Sequence, residues 1–312
     1  MTFSIIKNSV SFYKKTSTSG KILFFIILLL IAIAIFKPKN SGKEGFEQTN
    51  NFLFKAGNEV YDDFYSSIYD HLVFNGLKNE YEIGEIINRT TPTEESIILD
   101  VGSGTGHHVS VLSEKGLKVV GLDKSGAMIA QAKKNYPKLD FVQGDVLSAT
   151  KFQPESFTHI LCLYFTLYYI QDKSVFFNNC YNWLMPGGSL TVHIVNRDQF
   201  DPIVPPANPL LMLTPQRYAK KRITKSTVTF DDFKYDANFV LNNNTNNASF
   251  VETFKNKKNG KIFRKQDHKM YMESEADILE IAKSCGFIMV GKIDLIKSGY
   301  EYNYLYIFNR PE

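Results

Sequence analysis

The sequence predicts an α/β fold: a parallel sheet covered by helices on both faces, with an inserted antiparallel β cap and an N-terminal transmembrane helix. Three observations carry this. Between residues 96 and 195, short apolar runs alternate with helix-forming stretches, the rhythm of a parallel sheet with helical crossovers. After residue 200, a stretch with several alternating positions (226–241) precedes two segments joined by Asn259-Gly260, a two-residue hairpin signal. At the N-terminus an unbroken apolar run fills residues 22–36.

That run, in KILFFIILLLIAIAIFK, would make about 22 Å of helix against roughly 30 Å of hydrocarbon. The uncharged stretch starts at Thr16, and Lys21 and Lys37 can snorkel to the interfaces. A cleaved signal peptide has the same basic flank, and Ala32-Ile33-Ala34 has the form of a cleavage site. Ile35 and Phe36 continue the apolar run, which favours an uncleaved anchor. Lysines flank both ends, so the positive-inside rule barely orients it. Residues 38–50 read as a polar tether. The expected division is a basic segment, anchor and tether over 1–45 and a globular domain over 46–312.

The stretch VYDDFYSSIYDHLV puts Tyr61, Phe64, Tyr65, Ile68 and Tyr69 on one helix face. A second helix follows around 78–87. Strands are expected at 96–102, 118–123, 139–145, 157–165 and 189–195, with helices at 106–115, 126–135 and 173–185. Pro186-Gly187-Gly188 stops the last of these. The insertion is expected over about 197–273, as three antiparallel strands at 226–241, 248–258 and 261–272. The asparagine-rich 242–247 would be an exposed loop. A helix at 275–287 and two strands, IMVGKIDL and YNYLYIF, close the chain.

In such sheets a ligand lies at the carboxyl ends of the strands. There ILDVGSGTGHHVS sets Gly102, Gly104 and Gly106 at alternate positions, just after Asp100. A dinucleotide loop wants GxGxxG, and here His107 takes the place of its third glycine. A carboxylate is poor company for a pyrophosphate and suits a cation. S-adenosylmethionine has no phosphate and carries an ammonium and a sulfonium, and glycines let the backbone approach it closely. Asp123 ends the second strand, where a carboxylate can accept both ribose hydroxyl hydrogens. Asp145 ends the third, placed to accept from the adenine amine, with Leu122 and Val146 as apolar walls.

These motifs resemble those of the class I S-adenosylmethionine-dependent methyltransferases. LDVGSGTG is similar to the family's first motif, VVGLDKS to its second, FVQGDV to its third, and LMPGGSL to the turn before its fifth strand. The match covers roughly 55–200 and 274–310. The resemblance implies a Rossmann-like seven-stranded sheet whose last strand is antiparallel, and S-adenosyl-L-methionine as methyl donor with no metal. It also implies cofactor contacts at Asp100, Gly102, Ser103, Gly104, Gly106, Asp123, Lys124, Asp145, Val146 and Cys162. The aromatic helix is similar to the lid helix of many small-molecule members. Thr158 departs from the pattern, since an aspartate commonly follows the phenylalanine there.

The sulfonium methyl is already activated, so positioning can supply about 7–11 kcal/mol of the catalysis. A general base is optional, and the sequence assigns no catalytic residue. His107 and His108 read as loop spacers rather than metal ligands, and His193 as a core histidine. Tyr164, Tyr168 and Tyr169 read equally as pocket lining or packing. No NPPY-like tetrad or Pro-Cys pair is present. The insertion resembles the substrate caps of small-molecule N-methyltransferases. The expected acceptor is a small molecule near a membrane, a lipid-soluble one included. The alternatives are methylation of a protein, or a catalytically inactive, membrane-tethered interaction module that keeps the cofactor pocket.

Charge and cysteine usage narrow the classes further. Of the net +4, residues 1–50 hold seven lysines against two glutamates, so the remainder is near −1. A near-neutral body argues against a nucleic-acid partner. Lys220, Lys221, Arg222 and the hairpin basics Lys255, Lys257, Lys258, Lys261, Arg264 and Lys265 read as a solvated face, with an acidic partner or an anionic membrane surface as the alternative. Cys162, Cys180 and Cys285 form neither a disulfide framework nor a zinc pattern, which fits a reducing compartment. Asn88, Asn243 and Asn247 begin glycosylation sequons. They are expected to stay unmodified, with the domain on the cytosolic side where the methyl donor is made.

Overall fold

The structure, a computed structural model, describes residues 52–202, 216 and 219–312. The expected anchor at 22–36 and its tether lie outside them. Among the described residues no helix is long and apolar enough to cross a membrane. After a short strand, β1 (Leu53–Ala56), come the helices α1 (Asp63–Val73) and α2 (Gly76–Thr90). Strands and helices then alternate: β2 (Ile97–Val101), α3 (His107–Glu114), β3 (Lys118–Asp123), α4 (Gly126–Asn135), β4 (Asp140–Gln143), β5 (Phe157–Cys162), α5 (Lys173–Trp183) and β6 (Leu184–Val195). Their side chains cap them. Asn75, Ser125 and Asp172 each accept from the backbone three residues on, worth about 1 kcal/mol apiece.

These strands lie parallel, in the order β4-β3-β2-β5-β6. The chain ends with α6 (Glu275–Ser284), β11 (Ile288–Asp294) and β12 (Asn303–Asn309). β12 runs antiparallel to β6, and β11 antiparallel to β12, completing seven strands. The chain leaves β2 for β3 on one side and reaches β5 on the other. That switch point opens a crevice at the strands' carboxyl ends. The two-residue period of β2 divides its burial. Ile98 packs with Ile83, Ile86 and Leu112 under α2 and α3. Leu99 and Val101 belong to the cluster of Phe176, Phe177, Trp183, Ile278 and Ala282 beneath α5 and α6. Each such side chain contributes about 1.5–3 kcal/mol by leaving water.

The inserted sheet differs from the expectation. It has four strands rather than three: β7 (Lys225–Thr229), β8 (Phe233–Asn242), β9 (Asn247–Asn256) and β10 (Ile262–Tyr271). The run expected as one strand over 226–241 is broken at Asp231-Asp232, residues that disfavour strands. The Asn259-Gly260 hairpin forms, with a longer loop over 257–261 and Gly260 at φ +67°. β1 joins this sheet parallel to β10, in the order β1-β10-β9-β8-β7. Arg264 is not part of a solvated face. It is buried on the inner side of β10, in alternation with Gln266, His268 and Met270.

Candidate active site

The glycine loop leaves β2 through three left-handed residues, Gly102 at φ +72°, Gly104 at +54° and Gly106 at +92°. They are there for different reasons. A Cβ on Gly102 would lie 2.4 Å from Thr166 Cγ2 and Oγ1, so that glycine admits a neighbouring element. A Cβ on Gly106 would lie 2.7 Å from Phe141, and that glycine sits behind the loop as the N-cap of α3. At Gly104 the nearest atom would be Tyr69 Cε1, at 3.9 Å. Its backbone faces open space.

Asp123 holds the loop. Gly104 N–H donates to its Oδ2 at 2.9 Å and Ser125 N–H to its Oδ1 at 2.8 Å. Burial raises its carboxyl, against the pull of these backbone donors. Each oxygen keeps a lone pair for a further hydroxyl. Asp145, after β4, accepts from Leu147 N–H at 3.0 Å and pairs with Lys124 at 2.8 Å. A cavity of about 450 Å³ opens beside these groups. Gly102, Ser103, Gly104, Asp123, Lys124, Asp145 and Val146 border it.

Asp100, Gly106 and Cys162 do not border it. Asp100 shares the β2 face of Ile98, so its carboxyl points under α3 rather than into the crevice. Its Oδ2 has no hydrogen-bond partner among the described residues. Burial pushes its carboxyl up to about 6; His108 opposes the rise, and Asp123 and Glu82 add to it. Cys162 is fully buried in the core beneath α5, its thiol pushed up by burial. Gly106 is screened by Phe141 and Tyr136.

The opposite wall is aromatic. Tyr61 reaches the cavity from the turn before α1, Tyr65 and Tyr69 from α1 itself, and Tyr164 and Tyr169 from the segment after β5. Tyr168, by contrast, is core. His193 is also core: it bonds Tyr164 O at 2.5 Å and Asn303 Oδ1 at 3.1 Å, and burial holds its imidazole down at about 4. It thereby braces Tyr164, whose φ of +53° is left-handed. His107 and His108 do border the cavity. His107 pairs with Asp70 at 3.1 Å, and Asp70 in turn accepts from Thr105 Oγ1 at 2.6 Å, which ties α1 to the glycine loop. Among the described residues no group of three or more side chains could hold a metal ion.

Two wall residues carry no signal in the sequence reading. Glu252 of β9 and His268 of β10 both line the cavity and are both buried. They are joined at 2.6 Å between His268 Nε2 and Glu252 Oε2. The alternation of Arg264, Gln266, His268 and Met270 along β10 was the available cue, hidden because most of those side chains are polar. Lys78 on α2 is likewise buried, paired with Glu82 at 2.7 Å and lying over the Tyr164 ring at 4.9 Å. Burial would raise the Glu82 carboxyl, but Lys78 and His108 hold it at about 2.

The residues present fit S-adenosyl-L-methionine. The Gly104 backbone is open to a ligand, Asp123 has acceptor capacity to spare, and the cavity's cations are already paired with carboxylates. This strand order, with a glycine loop at the switch point and acids at the ends of successive strands, agrees with the resemblance to the S-adenosylmethionine-dependent methyltransferases. Residues 98–188 match the family model described as a methyltransferase domain. A Saccharopolyspora spinosa dTDP-4-amino-2,3,4,6-tetradeoxy-D-glucose N,N-dimethyltransferase is 32% identical over 141 residues, 43% of this chain and 56% of that one. A Chlorobaculum parvum demethylmenaquinone methyltransferase is 28% identical over 173 residues, 54% of this chain and 68% of that one. Against other curated relatives the chain spans less than half their length, 40% and 44%. The solved structure of an amino pentose methyltransferase from Micromonospora echinaspora, with its methyl donor bound, shares the fold at a TM-score of 0.57 and 16% identity. It covers 79% of this chain and 96% of that one.

Proposed function

We propose that this chain transfers a methyl group from S-adenosyl-L-methionine to a small-molecule acceptor. The observation that carries the reading is one cavity with two unlike walls: a glycine loop and strand-end acids on one side, and tyrosines with Glu252 and His268 on the other. The methyl donor supplies an activated electrophilic methyl when bound. Gly102, Ser103 and Gly104 would lie against its amino-acid part, Asp123 would accept from its ribose hydroxyls, and Asp145 and Val146 would meet its adenine. α1 and the inserted sheet close over the aromatic half, excluding water and holding the acceptor in line.

The acceptor chamber suits a compact molecule with apolar surface. Relatives named for a dTDP-linked amino sugar and for a demethylmenaquinone support a small-molecule rather than a macromolecular acceptor. The apolar run at 22–36 supports attachment to a membrane, and the cytosolic source of the methyl donor, with cysteines in no disulfide pattern, supports a catalytic body on the cytosolic side. A lipid-soluble acceptor would then be presented to a tethered enzyme. Calorimetric titration of the full-length protein with S-adenosyl-L-methionine, repeated with Asp123→Ala, tests the cofactor site. Micromolar binding lost in the variant supports the reading, and a folded protein that does not bind overturns it. Resistance to alkaline extraction, with Asn88, Asn243 and Asn247 unglycosylated in a eukaryotic host, tests the placement.

A further inference from the structure

Glu252 is a buried carboxylate with a full complement of donors. Tyr65 Oη donates to Oε1 at 3.1 Å and Tyr235 Oη to the same atom at 2.5 Å. Gln266 Nε2 and His268 Nε2 donate to Oε2, the latter at 2.6 Å. Four donors converge on its two oxygens and leave no acceptor for a carboxyl hydrogen, so Glu252 is held as the carboxylate. An ionised carboxylate only accepts, so the Nε2 of His268 must carry hydrogen. In the neutral ring that leaves Nδ1 as an acceptor. Tyr169 Oη lies 3.0 Å from Nδ1, and to a neutral ring protonated at Nε2 it can only donate. Gln266 is fixed by Arg264 Nε at 2.6 Å, and Arg264 pairs with Asp62 at 2.8 Å. The imidazole is thus oriented from both sides.

Tyr169, at the end of this chain, lines the cavity within a cluster of tyrosine rings packed edge to face. Tyr61 lies 5.7 Å from the Tyr169 ring, 5.6 Å from Tyr65 and 6.3 Å from Tyr69. Tyrosine faces attract a cation. The cationic side chains bordering the cavity are already engaged, Lys78 with Glu82 and Lys124 with Asp145. An ammonium therefore meets attraction and little repulsion there, but an ammonium has no lone pair and cannot accept a methyl.

We propose that Tyr169, His268 and Glu252 form a proton relay that deprotonates an amine acceptor in the chamber. This rests on the function proposed above and names its acceptor class. The ammonium N–H gives its proton to Tyr169 Oη as the Tyr169 hydroxyl proton passes to His268 Nδ1. His268 becomes an imidazolium, paired with the Glu252 carboxylate. The freed nitrogen lone pair forms the new C–N bond, and the C–S electron pair leaves on the neutral thioether. Tyr169 is the catalytic residue; His268 and Glu252 act through it. The other titratable groups facing the relay are Tyr61, Tyr65, Tyr69 and Tyr235, with Arg264 and Asp62 behind them.

The test uses the full-length protein, labelled with 15N in its histidine rings, and two probes of similar size. Benzylamine enters as an ammonium at neutral pH, and aniline is already neutral. The His268 signals are identified by their loss in His268→Gln. Free protein should show one bare and one protonated nitrogen in His268, and benzylamine should protonate both. Aniline should leave the ring unchanged, as should benzylamine added to Tyr169→Phe. In methyl transfer at neutral pH, Tyr169→Phe should lose about 10²–10⁴-fold toward benzylamine and far less toward aniline. A His268 already doubly protonated, a ring indifferent to bound benzylamine, or equal losses toward both amines would overturn the relay. So would a protein that binds S-adenosyl-L-methionine but neither binds nor methylates benzylamine. A protein that fails to bind S-adenosyl-L-methionine overturns the function reading instead, while the histidine measurement still decides the relay.

Discussion

Gly102 and Gly104 make a controlled pair, because alanine is wrong at both positions for different reasons. Both backbones are left-handed, which costs an L-residue about 1–2 kcal/mol. Both substitutions also stiffen the unfolded chain, offsetting about 0.4–1 kcal/mol at each. These contributions cancel in the comparison. What remains is space. At Gly102 the new methyl lies 2.4 Å from two Thr166 atoms, so Thr166 must move, and overpacking of that kind costs about 1–3 kcal/mol. At Gly104 the new methyl meets only Tyr69 Cε1 at 3.9 Å, an ordinary contact, but it projects toward the cavity. Gly102→Ala should therefore be less stable than Gly104→Ala by about 1–3 kcal/mol. Gly104→Ala should fold nearly normally yet bind S-adenosyl-L-methionine at least about tenfold more weakly, ~1.4 kcal/mol. Urea denaturation followed by the fluorescence of Trp183, the single tryptophan and fully buried, reads the first quantity. Calorimetry reads the second. Equal destabilisation of the two variants, or wild-type affinity in Gly104→Ala, would refute the division of roles between the two glycines.

Asp100→Asn should raise stability at neutral pH. The native carboxyl, at about 6, binds protons more tightly than the unfolded one near 3.8, so wild-type stability from this group falls as pH rises from about 4 to 6. The loss is on the order of 3 kcal/mol, and denaturation of both proteins at pH 4 and pH 7 should show the variant's advantage at the higher pH only. Arg264→Leu leaves Asp62 and Gln266 without their partner and should cost about 3 kcal/mol, at the low end for a broken ion pair because Asp62 is partly exposed; chemical denaturation measures it. Asp123→Ala frees the Gly104 and Ser125 backbone donors and removes the ribose acceptor, so affinity for S-adenosyl-L-methionine should drop by more than about tenfold in a calorimetric titration, with Asp123→Asn recovering part of it.

The parallel core was legible because its cues are local. Apolar runs, glycine turns and caps such as Ser125 specify their own element without reference to distant residues. The strand-end acids Asp123 and Asp145 were legible for the same reason, each marking the end of a recognisable strand. Asp100 shows the limit. It sits at the right place in the chain, but the two-residue period of β2 turns its side chain to the other face. The cavity wall built by the inserted sheet was harder to read. Glu252 and His268 lie on strands whose buried face is polar, so hydropathy alternation inverts there, and Arg264 passed for a surface cation. β1 has four residues, too few for periodicity to register, and its partner lies far along the chain.

That distant partner has a consequence for how the molecule comes into being. The Arg264–Asp62 pair joins residues 202 positions apart, and β1 lies beside β10 across a similar span. Contacts of such sequence separation form late, because the intervening chain must be ordered first. As the polypeptide emerges from the ribosome, β2 to β6 can assemble before β10 has been synthesised. The glycine-loop side of the cavity is thus synthesised ahead of the side built by β9 and β10. A chain stalled before residue 262 would lack both the His268 wall and the α6, β11 and β12 packing that completes the core under β2.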